Sequence, residues 1–210
     1  MLSFPKATEV HRKIPKNAFY AHLPMTAALK EKFVSDVNQI YVQHSLTQHN
    51  LNLPDEGEIK EILVVGITLK KEEFDGKIIE TIARQNPHAL LFELAYEEKR
   101  QLAIYHSKLY RSPWVDVADE KLTVEGMSLD AIWNGFMEQI ALSAEKATQV
   151  DDLTIDERLR LQEKIDKLEK QIEKHEKAMW KEKQPKKKYE LHTLIQKEKR
   201  ELEALTHGKA

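Results

Sequence analysis

From Asp156 onward the apolar positions of this chain fall into one repeating stripe. Leu161, Ile165, Leu168, Ile172, His175 and Met179 follow one another at alternating spacings of four and three. Beyond Gln184-Pro185-Lys186-Lys187-Lys188 the stripe resumes at Leu191, Leu194, Ile195, Leu202 and Leu205. Such spacing keeps one seam of a helix turned toward a partner helix, as in a coiled coil. The pattern predicts a long charged helix, a proline-and-lysine turn and a returning helix, an antiparallel hairpin over residues 156–206. A first helix of about 28 residues would reach roughly 42 Å at 1.5 Å per residue. A domain of about 150 residues has a radius of gyration of roughly 15 Å, so part of the helix is expected to project. The seam then closes within the chain or between chains.

Upstream the pattern changes. Pro5, Pro15 and Pro24, with Phe4, Phe19 and Tyr20, predict extended chain up to about Thr26, since proline removes an amide donor and restricts its neighbour. Thr26 caps an expected helix to about His44, with Leu29, Phe33, Val37, Ile40 and Tyr41 on one face. Turn residues at Asn50, Asn52, Pro54, Asp55 and Gly57 precede a strand over Ile59–Leu69 that is apolar on both faces, as in a sheet interior. A short helix carrying Ile78, Ile79 and Ile82 leads to a strand over His88–Tyr96. A charged turn at Glu97-Glu98-Lys99-Arg100 makes the next strand its antiparallel partner. The strand–helix–strand unit before it is expected to be parallel. Lys121–Glu125 reads as a short edge strand, and Ser128 opens an amphipathic helix with Leu129, Ile132, Trp133, Phe136, Met137 and Ile140 on its buried face.

These elements describe an α/β (α+β) domain, residues 1–147, with a small mixed sheet of about 4 strands and flanking helices. Residues 148–155 form a hinge, and Thr154 or Asp156 caps the first hairpin helix. Composition adds three limits. Hydrophobic residues make up 41% of the 210, enough for one modest core, and the net charge of −2 leaves any electrostatic footprint local. The cysteine count is 0, which excludes disulfides and thiolate metal sites. No run approaches the roughly 20 apolar residues needed to span a bilayer, and Met1–Lys16 lacks a signal-peptide core. The expectation is a soluble, cytoplasmic protein with no membrane partner.

Candidate chemistry is sparse. The glycines are too dispersed for a phosphate-binding loop, no serine elbow is present, and the histidines do not pair at metal-ligand spacing. No cofactor, metal or catalytic residue is assigned. His175 on the stripe reads as a polar seam residue that sets register. A metal-dependent nuclease would need strand carboxylates beside a lysine. The nearest residues are Glu58, Glu61, Glu93 and Glu97-Glu98-Lys99, but the last lie in a turn and Ala95 stands where the lysine belongs. The densest charge lies at the hairpin tip, where Lys181, Lys183, Lys186, Lys187 and Lys188 gather between Trp180 and Tyr189. Lysines interleaved with aromatics suit a nucleic-acid backbone and its bases. A solvated lysine turn is the ordinary alternative, and lysines at the second helix's N-terminus oppose its macrodipole. The basic cluster His11-Arg12-Lys13 with Lys16 reads as a solvated arm.

Several separate runs, in order, carry a resemblance: Phe33-Val34-Ser35-Asp36-Val37, Glu58-Ile59-Lys60-Glu61-Ile62, Pro87-His88-Ala89-Leu90-Leu91-Phe92-Glu93-Leu94, Trp114, Gly126-Met127-Ser128-Leu129-Asp130, Gln139-Ile140-Ala141 and Lys187-Lys188-Tyr189-Glu190-Leu191-His192. Over essentially the whole chain they resemble the bacterial and archaeal family termed domain of unknown function 4391. His106 stands where that resemblance leads one to expect a lysine. Members tend to be encoded beside helicase and DNA-methyltransferase genes of restriction-like or defence clusters. The resemblance therefore implies a non-enzymatic accessory subunit with a helicase or methyltransferase as protein partner. A second copy of the chain is a further candidate. A nucleic-acid-binding module using the tip is the alternative reading, and a cryptic nuclease the second.

Overall fold

The computed structural model describes residues 2, 4–22, 25–142 and 153–206. The chain divides into two compact units, Met1–Ala141 and Leu142–Ala210. The first is built on one mixed sheet. A single 3-10 turn, Lys6–Thr8, leads into β1 (Glu9–Lys13), α1 (Lys16–His22), α2 (Ala27–Asp36), β2 (Val37–Thr47), β3 (Glu61–Leu69), α3 (Lys77–Arg84), β4 (Ala89–Tyr96), β5 (Lys99–His106), β6 (Lys108–Arg111), β7 (Val115–Asp116) and α4 (Leu129–Ala141). The sheet runs β1-β2-β3-β4-β5-β6, with β7 also pairing β5. The pair β3–β4 is parallel, joined through α3, and every other pair is antiparallel. The expected parallel unit and the β4–β5 hairpin are both present.

Alternation along the strands divides the core. Val65, Ile67, Leu69, Leu90, Phe92 and Leu94 pack with Phe33 of α2 and Ile78, Ile79 and Ile82 of α3. Ile62, Val64, Leu91, Leu102 and Ile104 point the other way and are buried, on the side where α4 meets β3 and β5. α4 buries Leu129, Ile132, Trp133, Phe136, Met137 and Ile140, the face its periodicity predicts. The central strands are apolar on both faces because both faces are covered.

The sheet has seven strands, not about four. The largest correction is at β2. The helix capped by Thr26 ends at Asp36, and Val37–Thr47 is a strand. Two register shifts, between Val37 and Gln39 and between Val42 and His44, each insert one residue into β2 against β3. A bulge of this kind breaks the period of two. The buried residues Val37, Ile40, Val42 and Leu46 are therefore spaced three, two and four apart, which imitates a helical stripe. β1, β6 and β7 are short edge pieces with little apolar signal. Lys121–Glu125 is not a strand. There the Gln139 carboxamide on α4 accepts from Thr123 N at 2.8 Å and donates to Thr123 O at 3.0 Å, taking the place of a neighbouring strand.

The second unit holds α5 (Ile155–Lys181) and α6 (Pro185–Thr206), which pack on each other. The expected hinge falls mostly on residues 143–152, outside the described residues. Among the described residues no helix is long and apolar enough to cross a membrane.

Candidate functional site

The hairpin assembles from its first residue. Thr154 caps α5 by accepting from Glu157 N, while the Glu157 carboxylate accepts from Thr154 N at 2.9 Å, a complete capping box. Along the seam Leu168, Ile172 and Ile195 are buried together, with Met179, Leu202 and Leu205 packed against them. Ile165 is also buried, while Leu161 and Leu191 are half-buried. Leu194 lies off the seam, 39% exposed. The helices of one chain thus cover each other's stripe. His175 Nδ1 meets Glu198 Oε2 at 2.9 Å across that seam, and Lys199 Nζ meets Glu176 Oε1 at 2.8 Å beside it.

At the far end the packing stops and the tip begins. α5 closes with Glu182 N bonded to Ala178 O, and the Glu182 carboxylate turns back to accept from Gln184 N at 2.8 Å. That bond from the Gln184 amide is the main reason the Glu182 carboxyl is held below the ordinary carboxylate range. Pro185 starts α6 at the first helical position, where its missing donor costs nothing. Lys181, Lys183, Lys186, Lys187 and Lys188 are all exposed. Trp180 and Tyr189 flank them at 78% and 73% exposure. The Lys188 ammonium stands 6.0 Å from the centre of the Trp180 ring, within cation–π reach. Two large aromatics thus stand in solvent beside five exposed lysines. The turn anchor Glu182 and the seam partner Glu198 escape a reading by apolar pattern, since their roles depend on the fold bringing them to particular partners.

The remaining candidates are dispersed. Glu58 is exposed and its amide bonds Asp130. Glu61 accepts from Ser45 Oγ at 2.5 Å and pairs with His88 at 3.2 Å. Glu93 is opposite Gly66 on β3, five residues beyond Glu61, which is about 16 Å along a strand and on the opposite face. One metal ion cannot be shared by the two. Glu93 instead pairs with Arg100 at 3.5 Å. Near it lies Glu120, buried and missed in the sequence, whose carboxyl is pushed up by burial and then by the Glu93 charge. Glu97 adopts φ +49° in the β4–β5 turn, and Lys99 is engaged by Glu72 at 2.9 Å. Among the described residues no three His, Cys, Asp or Glu side chains converge as a metal site. In the N-terminal arm, Lys16 donates to Val37 O and Lys13 stands 6.0 Å over the Tyr41 ring. His11 at φ +47° marks the break in β1 register, and a bulged, charged edge strand resists pairing with other chains.

The comparisons with known proteins add one assignment. No curated protein and no solved structure matches the chain. The profile described as domain of unknown function (DUF4391) matches residues 2–202, nearly the whole length, and the chain belongs to that family.

Proposed function

We propose that this protein is an accessory subunit that acts by contact, in the cytoplasm, within a helicase- or methyltransferase-associated DNA-processing or defence system. The α/β unit is the folded body, and the hairpin tip is the docking element. One observation carries the reading. The hairpin buries its apolar seam within the chain yet leaves Trp180 and Tyr189 exposed at its end. Tryptophan and tyrosine are the residues that most often anchor interfaces, since each offers large area at small entropic cost. The family's association with helicase and methyltransferase genes supports the choice of system.

The test is co-expression with the helicase and the methyltransferase of the same gene cluster, followed by affinity capture and gel filtration. The native chain is expected to be retained by one of them, and Trp180→Ala with Tyr189→Ala to lose that retention while keeping its helix content. Capture of neither partner by the native chain, or retention unchanged by the double substitution, overturns the reading.

A further inference from the structure

We infer that the hairpin tip contacts single-stranded nucleic acid, with its lysines on phosphates and Trp180 and Tyr189 as platforms for bases. The inference rests on the proposed placing of the working surface at the tip and names the chemistry recognised there. From Trp180 to Glu190 inclusive the chain carries five lysines against two glutamates, so the surface complements an anion. Among the described residues none of the five lysines is drawn into an ion pair, whereas Lys177 and Lys199 along the hairpin are. Lys187 acts on the Glu182 carboxylate through its charge and Lys188 faces the Trp180 ring, and all five lysines remain exposed to solvent.

The aromatics decide which polyanion. An acidic peptide would satisfy the lysines, but its carboxylates offer the two rings nothing to stack on; only apolar or aromatic side chains of its own would cover them. A duplex keeps its bases stacked inside, away from rings that stand in solvent. A single strand offers both phosphates and free π-faces, and sequence-tolerant strand binders pair a basic groove with such stacking residues. Lys188 already stands on the Trp180 ring at 6.0 Å, so one cation can hold the ring and still reach a phosphate.

The experiment uses the full chain with fluorescent oligothymidylate and oligouridylate of about ten nucleotides, within known single-strand site sizes, across a salt series. A polyglutamate of matched charge serves as competitor. Binding of at least one oligonucleotide is expected, with a log–log salt slope no steeper than about −3.5, the limit for five phosphates on a single strand. K186E/K187E/K188E should abolish binding. W180A and Y189A should each weaken binding about 5- to 150-fold, the range stacking supplies, at unchanged slope. The single variant K187Q, expected to make the slope shallower by about 0.7, repeats the test should the triple variant fail to fold. Three results overturn the inference: neither oligonucleotide binds at low salt, the variants bind like the native chain, or polyglutamate competes as well as the oligonucleotides. The last would make an acidic protein the occupant. A chain that retains its protein partner but binds no oligonucleotide sinks this inference alone. One that binds oligonucleotide but retains neither partner sinks only the accessory reading.

Discussion

His175 on α5 and Glu198 on α6 meet at 2.9 Å in a seam otherwise built from Leu168, Ile172, Met179, Ile195 and Leu202. Each is the other's polar partner across the seam, with side chains 25% and 11% exposed. Removing one member leaves a largely buried polar group unmatched, which costs about 1–3 kcal/mol. Removing both restores an apolar seam. His175→Leu and Glu198→Leu should each lower the hairpin's stability by that amount. The double substitution should be more stable than either single one. Thermal unfolding followed by circular dichroism across this double-mutant cycle measures the coupling.

A second pin holds the α/β unit together. Asp36 ends α2 at 1% side-chain exposure, and its carboxylate accepts from Lys71 at 2.7 Å, Ser35 at 2.5 Å and Asp75 N at 3.1 Å. Burial alone would push this carboxyl up. The bonds from Lys71, Ser35 and Asp75, with the Lys71 charge, outweigh burial and hold it below its ordinary 3.8. A carboxyl depressed in the fold contributes stability that is present above the ordinary value and is lost as pH falls through the folded one. Asp36→Asn keeps the shape but not the charge. It should cost about 2–4 kcal/mol at neutral pH and remove part of the acid-induced loss below pH 4. Urea unfolding at pH 7 and at pH 3 compares the two chains.

His44 titrates in a different window with the same sign. The Thr8 hydroxyl donates to Pro5 O at 2.7 Å, so its 2.9 Å contact with His44 Nδ1 makes the imidazole the donor there. Phe4 lies over the ring at 4.7 Å. Burial, joined by His11 and opposed by Glu9, pushes the His44 value below its ordinary 6.5. The neutral ring belongs to the fold, so its contribution is complete above 6.5 and declines as pH falls toward the folded value. Stability of the α/β unit should fall between pH 7 and 5. The fall should be smaller in His44→Gln, and the His44 ring signals in an NMR titration should move below the ordinary 6.5.

Residue pattern revealed the hairpin, the parallel β3–β4 unit and α4, because long periodic stretches such as Leu161–Met179 and Leu129–Ile140 leave one consistent face. It misread β2, where two bulges replaced the strand period by one resembling a helix. It also missed β1, β6 and β7, whose residues are held by neighbours in the sheet more than by their own burial. The tip was legible as composition, since five lysines and two aromatics stand together in the sequence. That Trp180 and Tyr189 stay in solvent was not, because exposure depends on where the seam ends. Glu120 and Glu93 approach one another only through the sheet, and no spacing announces them.

The start of α5 depends on Thr154. Its hydroxyl accepts from Glu157 N at 3.4 Å and donates to Glu157 Oε2 at 2.8 Å, while the same carboxylate takes the Thr154 amide. Without this box the first turn of a helix this charged has donors facing water only. Thr154→Ala should cost the hairpin about 1 kcal/mol, and Thr154→Ser should restore most of it. Hydrogen exchange of the first α5 amides should quicken in the alanine variant alone.

Charge reversal at the tip lysines would separate a folding role from a binding role. Lys186, Lys187 and Lys188 occupy the first turn of α6, which contains no acidic residue. Positive charge there opposes the partial positive charge of the helix end. A surface selected for stability alone would carry glutamate at these positions. Charge reversal at Lys186 and Lys187 should therefore raise the hairpin's unfolding temperature at low salt, with the gain fading as salt screens it. The same substitutions should weaken capture of an anionic partner. Measured together by calorimetry and binding, a rise in one and a fall in the other mark the lysines as kept for contact. If both fall together, the lysines are part of what holds the tip in shape.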